Sequence, residues 1–306
     1  MTRAVVFAYH DVGVRCLSVL LDAGVEVALV VTHTDAPGET IWFDSVAQVA
    51  ARYDIPAVTP DDPNTPEFVE TIRALAPDFL FSFYYRQMLK APLLALPRRG
   101  ALNMHGSLLP QYRGRVPVNW AIIHGERETG ATLHYMTVKP DAGHIVDQQA
   151  VPILGDDTAA DVFRKVTCAA EITLHRALPG LIAGTAHATP QDLSQGGYFG
   201  ARRAEHGRID WSQSASTIHN LIRAVAPPYP GAYTTVQGMP LRILRSRVVG
   251  DHPAARASPT LYCDQDACHV LCGGGGTLRI LELELDDEAI RPADFYQRYG
   301  AGPFPL

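Results

Sequence analysis

The chain is poor in cysteine, and its five cysteines, Cys16, Cys168, Cys263, Cys268 and Cys272, are odd in number. That usage argues against a disulfide-stapled secreted domain and suits a reducing cytoplasm. No apolar run approaches the ~20 residues of a membrane-spanning helix, and MTRAVVFAYHDVG at the start has no signal-peptide cleavage pattern. Charge of one sign is not in excess. There are 26 basic and 32 acidic residues, for a net charge of −6, which excludes a chain-wide basic surface for nucleic acid. The glycine fingerprint of a dinucleotide site is missing after the first apolar run, where the chain reads YHDVG. No G-x-S-x-G serine elbow occurs. The GGGG run at 273–276 has no Lys-Ser/Thr partner and reads as a turn.

What is present is a globular chain of 306 residues with 47% hydrophobic content, enough for one large or two ordinary domains. The first half alternates two periods. AVVFAYH (4–10), VEVALVVTH (25–33), PDFLFSFYY (77–85) and ALNMHGS (101–107) are strand-like. Segments 11–24, 45–54, 65–76 and 161–184 have helical spacing. Strands separated by such helices predict an α/β, Rossmann-like, mostly parallel sheet. Beyond residue 200, GAYTTV, PLRILRSRVV, PTLYCDQ, CHVLCGG and TLRILELEL are short strands between turns, preceded by a helix at 218–227. They predict a small C-terminal β-barrel-like (OB-like) domain. The division expected is 1–200 and 201–306.

Open parallel sheets bind ligands beyond the carboxyl ends of their strands. In ALNMHGS, alternation puts Asn103 and His105 on one face and Leu102 and Met104 on the other. A buried hydrogen-bonded polar pair would also fit, but a basic, turn-rich loop with Arg113 and Arg115 follows. Histidine serves as acid or base near neutral pH. An asparagine amide donates to a developing oxyanion. With no serine or cysteine nucleophile in evidence, the pair suits direct acyl transfer to an amine. Asp141, in the turn KPDAGH, is the candidate carboxylate to bias the imidazole.

NMHGSLLPQYRGRVP followed by the DAG turn resembles the signature of the 10-formyltetrahydrofolate-dependent formyltransferases. VVFAYHDVG, THTDAPGE, FSFYYRQML and RAVAPPYPGAY make the chain most similar to members acting on UDP-4-amino-4-deoxy-L-arabinose, in lipid A modification. The resemblance implies a Rossmann-like catalytic domain and a barrel-like second domain. It implies His105 as acid/base, Asn103 as oxyanion stabiliser, and Asp141 as the carboxylate that raises the histidine pKa. It places folate against Gln87, Met88, Leu89 and Arg115, and along Thr137, Val138, Lys139, Pro140 and Asp141.

Three acceptors are open, namely UDP-aminoarabinose, another (dTDP-linked) 4-amino-sugar nucleotide, and methionyl-tRNA. The loop THTDAPGETIW is short and acidic, and residues 201–306 carry as many acidic as basic residues, which disfavours RNA. Arg203 and Arg223 are candidates for the diphosphate or uridine end, with His10 and Asp11 near the ligand loop. RRAEHG departs from the usual family turn at that point. Cys263, Cys268, His269 and Cys272 lack the C-x2-C knuckles of a zinc site, so no metal is expected. The chain stops at Leu306, where a decarboxylase domain follows in the bifunctional members, so it reads as a stand-alone transferase or a piece of one.

Overall fold

The computed structural model describes residues 1–38, 40–250 and 258–306, so Glu39 of the THTDAPGETIW loop lies outside the described residues. The chain divides into two compact units. The first comprises Met1–Pro117, Glu128–Val151 and Arg164–Gly200, and the second Val118–Arg127, Pro152–Phe163 and Ala201–Leu306.

In chain order the elements of the first two hundred residues are β1 (Arg3–Ala8), α1 (His10–Asp22), β2 (Glu26–Val31), α2 (Val46–Arg52), β3 (Ala57–Val58), α3 (Pro66–Ala74), β4 (Phe79–Phe83), α4 (Ala91–Leu94), β5 (Ala101–His105), β6 (Arg113–Gly114), α5 (Pro117–Ile123), β7 (Glu128–Tyr135), β8 (Ile145–Pro152), α6 (Ala159–Ala183) and β9 (Tyr198–Phe199). Helix starts follow local chemistry. Thr65 caps α3 by accepting from the Phe68 amide at 3.3 Å, with Pro66 at the first helical position. Ser45 caps α2 in the same way.

The main sheet has the order β3-β2-β1-β4-β5-β7-β8. β1 pairs in parallel with β2 and β4, and β4 with β5, as the alternating pattern predicts. β7 departs from it by pairing antiparallel to β5. β4 (FLFSF) is buried at every position, because a central strand covered on both faces has no solvent side. Burying each such phenylalanine contributes about 1.5–3 kcal/mol. The strand order reverses between β1 and β4, so the ligand crevice of this sheet type opens at their carboxyl ends, beside β5.

The second unit holds α7 (Ala215–Val225), β10 (Ala232–Val236), β11 (Met239–Gly250), β12 (Thr260–Cys263), β13 (Cys268–Leu271), β14 (Thr277–Leu285), β15 (Glu288–Ile290), α8 (Pro292–Tyr299) and β16 (Phe304–Pro305). Its sheet runs β10-β11-β14-β13-β12-β16, antiparallel and curled as expected of the barrel-like domain. Alternate residues Leu241, Ile243, Leu278, Ile280 and Val270 meet Ile218, Ile222 and Phe295 in one apolar core. The GGGG run forms the turn between β13 and β14. Among the described residues, no helix is long and apolar enough to cross a membrane.

The absence of a disulfide, expected from cysteine count, is corrected at one place. Cys263 and Cys268 face each other across the β12–β13 hairpin with Cα atoms 4.1 Å apart, and are bonded. Cross-strand register creates this pair, and a count of cysteines cannot see it. Cys272 is a separate buried thiol, pushed up to about 11 by burial.

Candidate active site

β5 ends on His105, as alternation requires, with Leu102 and Met104 buried on the opposite face from Asn103 and His105. Antiparallel pairing sets Asn103 opposite His134 and His105 opposite Thr132 of β7. Directly paired residues share a face, so a second histidine joins the site. The Nδ1–H of His134 donates to the Tyr135 carbonyl at 2.9 Å. Its Nε2 is then the acceptor for the Asn103 amide, at 3.1 Å. One amide N–H of Asn103 is thereby fixed, and the other points elsewhere.

Asp141 adopts a left-handed backbone (φ 51°) at the tip of the KPDAGH turn. Its Oδ1 lies 3.6 Å from both His105 Nδ1 and His134 Nε2, and its Oδ2 accepts from the Gly114 amide at 2.9 Å. Burial pushes the carboxyl up, but His105 and the Gly114 amide outweigh it and hold Asp141 well below the usual carboxylate range. The turn returns tightly at Gly143, where a Cβ would run into the Tyr135 carbonyl oxygen.

The loop after β5 supplies the opposite wall. His105 Nε2–H donates to the Tyr112 carbonyl at 2.8 Å. Both ring nitrogens of His105 therefore face oxygen acceptors. Thr132 Oγ1 donates to the Ser107 carbonyl at 2.6 Å and accepts from the Leu109 amide at 3.1 Å. Gln148 donates to the Leu109 carbonyl at 2.8 Å. These bonds hold the loop's exit from the strand.

Thus Asn103, His105 and Asp141, three sequence candidates, come together. The folate candidates are distributed as follows. Met88, Val138 and Lys139 are exposed, as are Arg115 and Thr137, while Pro140 is half-buried. Gln87 donates to the Asp61 carbonyl at 2.8 Å, and its Oε1 is buried without a partner. Leu89 is buried in the sheet core with Leu80 and Leu93.

His10, also left-handed (φ 66°), stacks on Phe43 at 3.8 Å and neighbours Trp42. Asp11 accepts from the Asp44 amide at 2.8 Å. Burial nevertheless pushes its carboxyl up. A cleft of about 400 Å³ opens there, lined by Asp11, Arg15, Trp42, Phe43, Arg164 and Glu171.

Arg203 and Arg223 lie in the second unit. Arg203 is exposed, 3.5 Å from Glu205. Arg223, the other candidate, is bonded within its own unit. It is buried, with its guanidinium donating to Asn220 Oδ1 and to the carbonyls of Leu154 and Asp157. Among the described residues there is no cluster of three or more His, Cys, Asp or Glu able to hold a metal ion.

The model of the family described as formyl transferase matches residues 11–178, and that of its C-terminal domain matches residues 202–300. The chain belongs to the formyl transferase family. Its fold is similar to that of the N-formyltransferase from Helicobacter canadensis, solved with folinic acid and dTDP-3-aminofucose, at a TM-score of 0.72 and 20% identity over 92% of this chain and 99% of that one. WlaRD, a sugar 3N-formyl transferase solved with dTDP and 5-N-formyl-THF, superposes at 0.70 with 19% identity, over 92% and 97%. A sugar N-formyltransferase from a Shewanella species gives 0.61 and 18%, over 76% and 92%.

Within this formyl transferase, sequence reasoning missed His134, Tyr112 and Gln148. His134 had one usable signal, its place in the strand ATLHYM, but that strand's register against β5 was not readable. Tyr112 acts through its carbonyl, which no side-chain motif marks.

Proposed function

We propose that the protein transfers the formyl group of 10-formyltetrahydrofolate to the amine of an amino-sugar nucleotide. The observation that carries this reading is the Asn103–His105–Asp141 group at the end of β5, in a chain of the formyl transferase family. The folate supplies an activated formyl carbon; the rest is this chain's own chemistry. The free N–H of Asn103 and the positive charge of His105 stabilise negative charge developing on the formyl oxygen. As the amine nitrogen bonds to the formyl carbon and the bond to the folate nitrogen breaks, His105 gives its proton to that leaving nitrogen and, once neutral, takes up the proton the amine loses, with Asp141 balancing its charge. Because His105 Nε2–H already serves Tyr112, proton transfer at that nitrogen exchanges this partner.

The residues fit a folate. The unpartnered Gln87 Oε1 can accept from a pteridine edge, and the exposed backbone of Thr137, Val138 and Lys139 flanks Asp141, with Arg115 available for a carboxylate. We assign the amino-sugar nucleotide to the cleft beside His10 and Asp11, where Trp42 and Phe43 offer ring faces. Catalysis is assigned to residues 1–200, and the β domain to 201–306. The cytoplasm is assigned as the compartment from the family resemblance alone, since the Cys263–Cys268 bond removes the argument from cysteine usage.

Sequence resemblance favours UDP-4-amino-4-deoxy-L-arabinose as acceptor. A dTDP-linked amino sugar is the second reading, favoured because two fold relatives were solved with dTDP or a dTDP-sugar. Incubation with 10-formyltetrahydrofolate and a panel of UDP- and dTDP-linked amino sugars, plus charged initiator tRNA, decides the matter by tetrahydrofolate release. Turnover with a sugar nucleotide is expected. Formylation of the tRNA alone would overturn the reading.

A further inference from the structure

Residues 189–199 follow α6 and lie between the two stretches matched by the family models. They return along both walls of the site. Thr189 exchanges both backbone hydrogen bonds with Ile145, each at 2.8 Å. The side-chain amide of Gln191 donates to the Asp141 carbonyl at 3.1 Å and to the Gly143 carbonyl at 2.6 Å. The carbonyls of Leu193 and Gly196 accept from the buried Arg113 guanidinium at 3.1 and 2.7 Å. β9 pairs with β6, and the Phe199 ring stacks on Tyr112 with centroids 5.0 Å apart. At Gly196 a Cβ would run into the Pro110 carbonyl, so the segment passes in backbone contact with the loop.

We propose that residues 189–199 form a strap that positions the transfer site, and that Gln191 is its positioning residue, setting Asp141 against His105. The proposal rests on the reading of Asn103, His105 and Asp141 given above. The strap grips the turn that carries Asp141 and the loop whose Tyr112 carbonyl receives His105, so it fixes the two walls relative to each other. A non-glycine residue holds a left-handed backbone only where its surroundings impose it. The two Gln191 bonds land on the carbonyls of Asp141 itself and of Gly143. Gln191 also leaves its Oε1 buried and unpaired, which costs stability. Packing alone would be served better by methionine, a near-isostere with no unsatisfied acceptor, so the position demands the amide donors.

The test uses the full chain carrying Gln191→Met, with Gln191→Asn as a shorter amide. Gln191→Met is expected to lower kcat by about ten- to a hundredfold, with KM for formylfolate and for the amino-sugar nucleotide within about twofold. The acid limb of its kcat profile should move to higher pH, since a carboxylate turned from His105 protonates more readily. Its thermal midpoint should fall modestly, because the Asp141 and Gly143 carbonyls lose their donor, with the fold retained. Gln191→Asn should fall between wild type and Gln191→Met in kcat. Wild-type kcat and pH profile in Gln191→Met would overturn the proposal, as would its failure to fold, which would make the role structural. A wild-type chain that formylates no acceptor would instead remove the reading of the site, and the strap's function with it.

Discussion

At Asp141 one carboxylate faces the His105 imidazole and accepts from a backbone amide, so its charge is supported from two sides. The linkage sign follows. Its native pKa lies below that of the unfolded chain, about 3.9, so its stabilising contribution is complete above that value. The contribution is lost as pH falls through the native value. Asp141→Asn should therefore cost about 2 kcal/mol at pH 7, and the gap to wild type should close as pH is lowered from 5 toward 2. Denaturant unfolding across that range measures it, and a gap independent of pH would contradict the ionised pairing. For the neighbouring groups the expected losses are kinetic. His105→Ala should retain its circular dichroism and lose about 10²–10⁴ in rate. Asn103→Ala should lose about 10²–10³. Turnover near wild type in either variant would remove that residue from the chemistry.

Elements explain why these residues meet. The turn between β7 and β8 works only because glycine at 143 lets it pass the Tyr135 carbonyl. Gly143→Ala should displace Asp141, lowering kcat at least about a hundredfold with a reduced melting temperature. An active, equally stable variant would show that the turn tolerates the methyl. Much of this was legible beforehand. β1, β2, β4 and β5 and their intervening helices stand out through burial periodicity, and the alternation in ALNMHGS aims Asn103 and His105 correctly. β8 was not legible, because IVDQQAVP is an edge strand whose residues are mostly only partly buried and show no clean alternation. His134 depends on an antiparallel register set across a long irregular connection, and Gln191 on a contact between residues fifty positions apart. Periodicity carries which face a side chain takes; it carries nothing about which distant carbonyl that side chain reaches.

For the molecule as a whole, the second unit's sheet is closed at one hairpin by Cys263–Cys268. Cross-linking so short a loop contributes about 2 kcal/mol. Cys263→Ser should lower the unfolding temperature recorded by calorimetry and leave formyl transfer at 25 °C intact; loss of turnover in a still-folded variant would give the bridge a part in catalysis. The chain also enters that unit three times, at Val118, Pro152 and Ala201. Inside it, Asn119 donates to the Ala224 carbonyl at 2.7 Å, and α7 takes further partners from 154–157 through His219 and Arg223. A gene recombining at codon 200 would inherit the β unit without the two short pieces that complete α7's surroundings. A half exchanged at that point would therefore arrive with α7's buried polar groups short of their partners.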